Sequence, residues 1–407
     1  MIFMTSTQLY KLVLTTLLLF SLGVFGVRGQ KEDSSSACKK ILAAVSKKIN
    51  SIQRVRYHCT RESVYSGENY HTIYSPEVYI DFTSNKNVAG YQFQAHDESY
   101  FSCYNGVQYF GLNKEKRTID IEQKPKAGSF ESLSPLYFSF ISMRTMIPLL
   151  LNSKDILFHM NDTVFNNEKY YAISFELHNR YFGGLGKLES FTKDYTGNKT
   201  KPYVLIVNKK SILPYQFVAK FKDRPSDFIA VSFTNIDLSP KAPEVNSWFY
   251  STYTNEYRPP APAKPMIAVG AVPDNWVLPF YDPKRIDSVS LYQYRGKIVM
   301  LDFWIKSCGP CMASFPHLKE LQQKFGPDKF QLLSINTEDG IDDISFFFKK
   351  HSPNYKMLFG GDKLVEAYGI PAFPSIIILD QSGKIIYSGR NGFDQHAIEE
   401  VIKKYSL

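Results

Sequence analysis

Metal-binding spacing is the first thing this chain has little of. Of its five cysteines only Cys308 and Cys311 form a Cys-x-x-Cys pair, and His317 is the one histidine close by. A structural zinc site needs four ligands, so this pair lacks the companions to hold zinc. A peroxidatic Thr-x-x-Cys is also absent, which leaves a peroxidase as an alternative without its motif. Blocks of like charge are missing too: 48 Lys and Arg against 39 Asp and Glu give +9, but they are scattered. Nucleic acid is therefore disfavoured as a partner, and an anionic surface is permitted without being indicated.

Long apolar runs are missing after residue 27. The one such run, Leu12 to Val27, follows Lys11 and ends at Arg28-Gly29-Gln30, the layout of a signal peptide over 1–29 with the mature chain starting at Gln30. Its removal takes two cations and leaves +7. An uncleaved anchor stays open, because the run falls little short of the ~20 apolar residues a spanning helix needs. Lys31, Glu32 and Asp33 separate Cys38 from the run, so Cys38 reads as a chance thiol in a polar leader rather than a lipidation site. The expected place is exported, in a periplasm or cell envelope.

Aromatics, by contrast, are abundant: 27 Tyr and 31 Phe in 407 residues, enough chain for two domains. A helix is expected from Cys38 to Ile52, with Ile41, Leu42, Val45 and Ile49 at helical spacing. Strands follow at 55–65, 78–82, 91–95, 100–104, 107–112, 170–177, 203–207, 216–221 and 228–233, with helix within 133–151. Asn105-Gly106 and the Asn208 to Pro214 stretch read as hairpin connections, the mark of an antiparallel sheet. With its opening helix, the region Cys38 to Pro240 resembles the LolA-like carrier fold, a half-barrel with a helical lid. That resemblance implies a lipid-binding cavity; a sheet whose aromatics are simply core is the other reading.

Arg258 to Pro265 holds four prolines in eight residues, a semi-stiff spacer between an N-terminal domain over 30–257 and a second over 266–407. Beyond it strands and helices alternate: strand 298–304, helix 309–325, strand 330–336, helix 342–351, a hairpin of 375–379 with 384–388, and helix 394–404. That is the order of the α/β thioredoxin fold.

Cys308 and Cys311 then sit where a strand gives way to a helix. Free N–H groups and the positive end of the helix dipole lower the pKa of the first cysteine, and the thiolate is the attacking species. Lys306 is a candidate further positive charge. Cys308 is expected to attack and Cys311, one turn on, to resolve. A permanent disulfide would close a tiny loop and stabilise little. Gly309 and Pro310 between the cysteines match thioredoxin, whose potential of about −270 mV lies far below the about −120 mV of an oxidant such as DsbA, which favours a reductase.

The C-terminal third resembles the TlpA/ResA-like branch of the thioredoxin family. The resemblance rests on Val272-Pro-Asp-Asn-Trp-Val-Leu278, Asp302-Phe-Trp304, Cys308-Gly-Pro-Cys311, Phe315-Pro316 and Tyr368-Gly-Ile-Pro-Ala-Phe-Pro-Ser375, within Pro265 to Leu407. It implies a thiol-disulfide oxidoreductase without metal or organic cofactor, with disulfide-containing envelope proteins as substrates and a membrane electron donor of the CcdA/DsbD type. It also implies a cis peptide before Pro374, with Pro371 as the other candidate, and a Phe373 backbone that offers hydrogen bonds to a substrate chain. Asp302, in a strand buried on both faces, takes the part of the acid that moves the proton of the resolving thiol. Trp304, Gly309 and Pro310 complete the expected substrate surface, Trp304 more by packing beside the site than by chemistry. Two departures stand out: Ser307 replaces the usual Trp, and Ser314 replaces the Glu of ResA-type proteins. Among the other cysteines, Cys59 and Cys103 either bridge, leaving Cys38 free, or are buried thiols.

Overall fold

The computed structural model describes residues 34–83, 87–191, 197–262, 264–390 and 395–405. The segment 1–29 assigned to a signal peptide, and Gln30, lie outside the described residues. The chain forms two compact units: the first takes the residues up to Val64 and Thr72–Pro260, the second takes Tyr65–His71 and the residues from Ala261 on.

Helix α1 (Ser34–Ser51) opens the first unit. Leu42, Val45 and Ile49 are fully buried on one stripe, and Cys38 occupies the same stripe, also fully buried. Cys38 is therefore a core residue of the helix rather than a thiol in a polar leader, and burial raises its pKa. The strands that follow are β1 (Arg54–Tyr65), β2 (Tyr70–Tyr74), β3 (Glu77–Asp81), β4 (Gln92–His96), β5 (Tyr100–Tyr104), β6 (Tyr109–Asn113) and β7 (Thr118–Glu122). After α2 (Phe140–Asn152) come β8 (Phe158–Phe165), β9 (Glu168–His178), β10 (Arg180–Phe182), β11 (Leu188–Ser190), β12 (Thr200–Asn208), β13 (Pro214–Lys220) and β14 (Phe228–Asp237). Strands β10 and β11 pair with each other, and the rest form one antiparallel sheet in the order β7-β6-β5-β4-β3-β1-β14-β13-β12-β9-β8, with β2 on β1. The register establishes an antiparallel sheet with β7 and β8 as its ends; strand order alone does not establish the carrier-type half-barrel.

Local chemistry explains several of these elements. In the β5–β6 hairpin the Asn105 carboxamide oxygen accepts the N–H groups of Val107 and Gln108 at 3.0 and 2.8 Å, and Gly106 takes the left-handed backbone (φ +93°) that the turn requires. Ser139 caps α2 by accepting the Ser142 N–H at 3.4 Å. Arg144 of α2 donates to the carbonyls of Ile49 and Ile52 at the end of α1.

The sheet order also separates two cysteines that sequence left free to pair. Cys59 lies on β1 and Cys103 on β5, with β3 and β4 between them, about 14 Å at ordinary strand spacing and too far to bridge. Both are free and buried, and burial pushes the Cys59 thiol up to about 12. The spacer departs from expectation at its first residue: Arg258 exchanges backbone bonds with Arg117 and Ile119 at 3.1 and 2.9 Å.

The second unit holds β15 (Val277–Phe280), β16 (Asp287–Ser290), β17 (Ile298–Trp304), α3 (Gly309–Lys329), β18 (Phe330–Asn336), α4 (Ile341–His351), β19 (Lys356–Leu358), α5 (Asp362–Tyr368), β20 (Ser375–Leu379), β21 (Ile385–Arg390) and α6 (Gln395–Tyr405). Its sheet runs β16-β15-β19-β18-β17-β20-β21, with β17, β18 and β19 parallel and β20 antiparallel to β17. All seven residues of β17 are buried, as a central strand covered on both faces requires. Its side chains alternate between two cores, one containing Met300 and Trp304, the other Val299, Leu301 and Phe303. The α3 run loses helical geometry at Gly326 (φ +70°), just before Pro327.

Candidate active site

The end of β17 delivers the chain to Cys308, the N-cap of α3, with Gly309 and Pro310 in the first turn. The Cys308 Sγ accepts the backbone N–H of Cys311 at 3.1 Å, so the helix tip points one of its free donors at that sulfur. The two cysteines are joined in a disulfide, their Cα atoms 5.2 Å apart. Cys308 keeps a 7% exposed edge and Cys311 has none. Ser307, Gly309 and Pro310 around them are exposed, and the Ser314 hydroxyl donates to the Cys311 carbonyl at 2.8 Å.

Lys306 is differently employed than its charge suggested. Its ammonium pairs with Asp343 at 2.8 Å, so it is not a free cation for Cys308. Its backbone N–H donates to the Asp339 carboxylate at 2.7 Å, and the Asn336 amide donates to the same oxygen at 2.8 Å. Burial raises the Asp339 pKa against the pull of those donors. The loop leading into Cys308 is thereby tied to the loop after β18, a fixture that nothing local in the sequence announces.

Asp302 is buried, and burial pushes its carboxyl up to about 7 even though the Ser334 hydroxyl, 2.8 Å from Oδ2, pulls it down. It shares the strand face of Met300 and Trp304, whose core also contains Cys308, Cys311 and Phe315. Trp304 itself is fully buried, its ring edge-on to Phe315 and Phe347 at 5.0 and 5.3 Å. A side chain with no exposed surface cannot touch a docked polypeptide, so the expected substrate role of Trp304 is replaced by packing under the helix that carries the cysteines.

The Phe373–Pro374 peptide is cis. Pro374 is buried, while Phe373 is half-buried and packs against the core that includes both cysteines. Pro371 is exposed. Two residues near the site escaped sequence reading: Ser334, a lone hydroxyl in the apolar strand β18, and Tyr355, whose buried phenol is pushed well above its usual range by burial and by the charge of Asp302. The polar break in β18 was the signal available for the first; the phenol had none.

Residues 272–388 match the profile of the AhpC/TSA family. The match lies wholly within the C-terminal region, whose fold is thioredoxin-like. The chain is 24% identical over 137 residues, 33% of its length and 78% of the relative's, to the thiol-disulfide oxidoreductase ResA of Bacillus thuringiensis subsp. konkukian (strain 97-27). It is 27% identical over 124 residues, 30% of its length and 68% of the relative's, to the protein of the same name from Bacillus subtilis (strain 168). Among solved structures it is similar to the thioredoxin domain of a thiol-disulfide oxidoreductase from Bacteroides vulgatus, at 25% identity over 33% of this chain and 99% of that one, with a TM-score of 0.30.

Proposed function

We propose that the chain is an exported thiol-disulfide oxidoreductase that reduces disulfides of envelope proteins. One observation carries this reading: the sulfur of Cys308 caps a helix and accepts the Cys311 N–H, while the two sulfurs lie within bonding reach. Helix-tip donors stabilise a thiolate at Cys308, which attacks a substrate disulfide through its exposed edge. Cys311, fully buried, then opens the mixed disulfide from the inner side. Asp302 takes the proton of the Cys311 thiol, and the Phe373 backbone beside cis Pro374, with Gly309 and Pro310, receives the substrate chain. The names of the ResA relatives support this reaction class at low identity.

The exchange itself calls for no metal or organic cofactor. Repeated turnover needs a dithiol donor, which we assign to a membrane protein of the CcdA/DsbD type, and a periplasmic or envelope location. No described helix is long and apolar enough to cross a membrane. The first unit is read as the client-facing module. Against the other reading, a half-barrel holding lipid, Phe138 and Phe140 already pack onto Phe217 and Phe233 of the sheet, with ring centres 4.7 and 5.3 Å apart.

The test is a covalent trap. Expressed with its leader, Cys311→Ser is expected to accumulate mixed disulfides with envelope proteins that dissolve on reduction, and Cys308→Ser to accumulate none. Wild type should reduce insulin with a dithiol as donor. An empty trap together with no insulin reduction would end the proposal.

A further inference from the structure

How the Asp302 carboxyl is held decides how the resolving thiol can lose its proton, an inference that rests on the reductase reading above. In the sheet Asp302 faces Ser334 across β18 and Ile376 across β20. Its two oxygens are not equivalent: Oδ2 accepts the Ser334 hydroxyl at 2.8 Å, while Oδ1 is buried with no hydrogen-bond partner among the described residues. Alternation along β18 puts Ser334 on the side of Leu332, the same core that contains both cysteines.

The other groups packed around that core are few in kind. Helix α3 supplies Cys308, Cys311 and Ser314, and the Ser314 hydroxyl is committed to the Cys311 carbonyl. Helix α4 supplies Ile344, Phe347 and His351; the His351 ring lies 4.8 Å from Phe315, and burial, with Lys350 and Lys319, lowers its pKa to about 4, so it is neutral at working pH. From β19 and the loop before it come Met357 and the Tyr355 phenol, from α6 come Ile398, Ile402 and Tyr405, from β21 comes Tyr387, and Tyr281, just after β15, packs on the same core with its hydroxyl on Ser345. The Ser334 hydroxyl is the donor that Asp302 has in this core.

We propose that Ser334 is a positioning residue for the resolving half-reaction: by engaging Oδ2 it leaves Oδ1 of Asp302 as the oxygen that takes the proton of Cys311. The step balances. Asp302 accepts the proton, and the Cys311 thiolate attacks the Cys308 sulfur of the mixed disulfide. The Cys308–Cys311 bond forms as the bond from Cys308 to the substrate sulfur breaks. The electron pair leaves on the substrate sulfur, which takes up a proton. The cysteine pair ends oxidised by two electrons and the substrate disulfide reduced by the same two.

The experiment uses the reduced full chain and an aromatic disulfide that releases one coloured thiolate when Cys308 attacks and a second when Cys311 resolves. In wild type the second release should rise with pH through the Asp302 ionisation. Losing a donor to the charged form raises a carboxyl pKa, so Ser334→Ala should move that limb up by about one unit, slowing the second release about tenfold on its acid side. The first release should not change. Ser334→Thr, which keeps the hydroxyl, should restore the profile, and Ser334→Ala should add nothing in an Asp302→Asn background. An unmoved limb in Ser334→Ala, or equal slowing of both releases, overturns the inference while leaving the reductase reading intact. No coloured thiolate from wild type would overturn the reductase reading and this inference with it.

Discussion

Burial changes what Asp302 does for stability as well as for chemistry. Its folded pKa of about 7 stands above the ordinary carboxyl value of 3.8, so the folded state binds its proton more tightly than the unfolded state does. Stability conferred by the protonated form is then full below about pH 4 and falls as pH rises toward 7, by on the order of 4 kcal/mol if the whole shift is expressed. Asp302→Asn, which keeps an acceptor for Ser334 without the charge, should raise the unfolding midpoint of the redox unit at pH 8 and change it little at pH 4. Thermal melts at the two pH values check this; equal shifts at both would mean that ionisation is not the cause.

At the scale of elements, the joint between α1 and α2 concentrates on one side chain. Arg144 bonds two carbonyls at the end of α1, and its guanidinium stacks over Phe82 at 3.2 Å, while burial lowers its pKa to about 10. The Ile49 carbonyl also accepts the Ile52 N–H at 3.2 Å, and Arg144 is the charged donor that the two carbonyls share, so its removal takes that donor from both. Arg144→Ala should cost the first unit about 2 to 3 kcal/mol in urea unfolding, the range for hydrogen bonds to a charged group, and Arg144→Lys should recover only part. A loss below about 0.5 kcal/mol would show that solvent replaces the guanidinium at no cost.

Elements also differ in how far the sequence announces them. Strand β17 and the opening of α3 were legible because an apolar run interrupted by Asp302 alone meets a Gly-Pro helix start, and both signals are local. Strand β8 was not: Phe158–Phe165 lies at a sheet end with half of its residues exposed, so polar Asn161, Asp162 and Thr163 hide its alternation. Strands β15, β16 and β19 have three or four residues each, too few to show a period. At the site, Cys308 and Cys311 announce themselves by spacing. Ser334 meets Asp302 only through the parallel register of β17 and β18, and Lys306 finds Asp343 only after α4 folds back. Those pairings are made by tertiary packing, which no local pattern encodes. Cys38 fell to the opposite error, its polar neighbours masking its place on the stripe of Leu42 and Val45.

Across the whole molecule, the groups proposed for exchange lie in one unit and the large antiparallel sheet in the other. Cys308, Cys311, Asp302, Ser334 and the cis Phe373–Pro374 peptide all follow Ala261, and that unit has its own central sheet with a core on each face. The part of that unit after Ala261 holds the sheet and both cores without Tyr65–His71, so it should fold and exchange disulfides alone. A fragment over 261–407 is therefore expected to reduce insulin within about threefold of the full-chain rate, a difference of less than 1 kcal/mol in activation free energy. If the first unit selects clients, the same fragment carrying Cys311→Ser should lose the trapped envelope partners that the full chain captures. An inactive but folded fragment would mean that the chemistry draws on residues before Pro260. An unchanged set of trapped partners would move client choice to the surface around Ser307, Gly309 and Pro310.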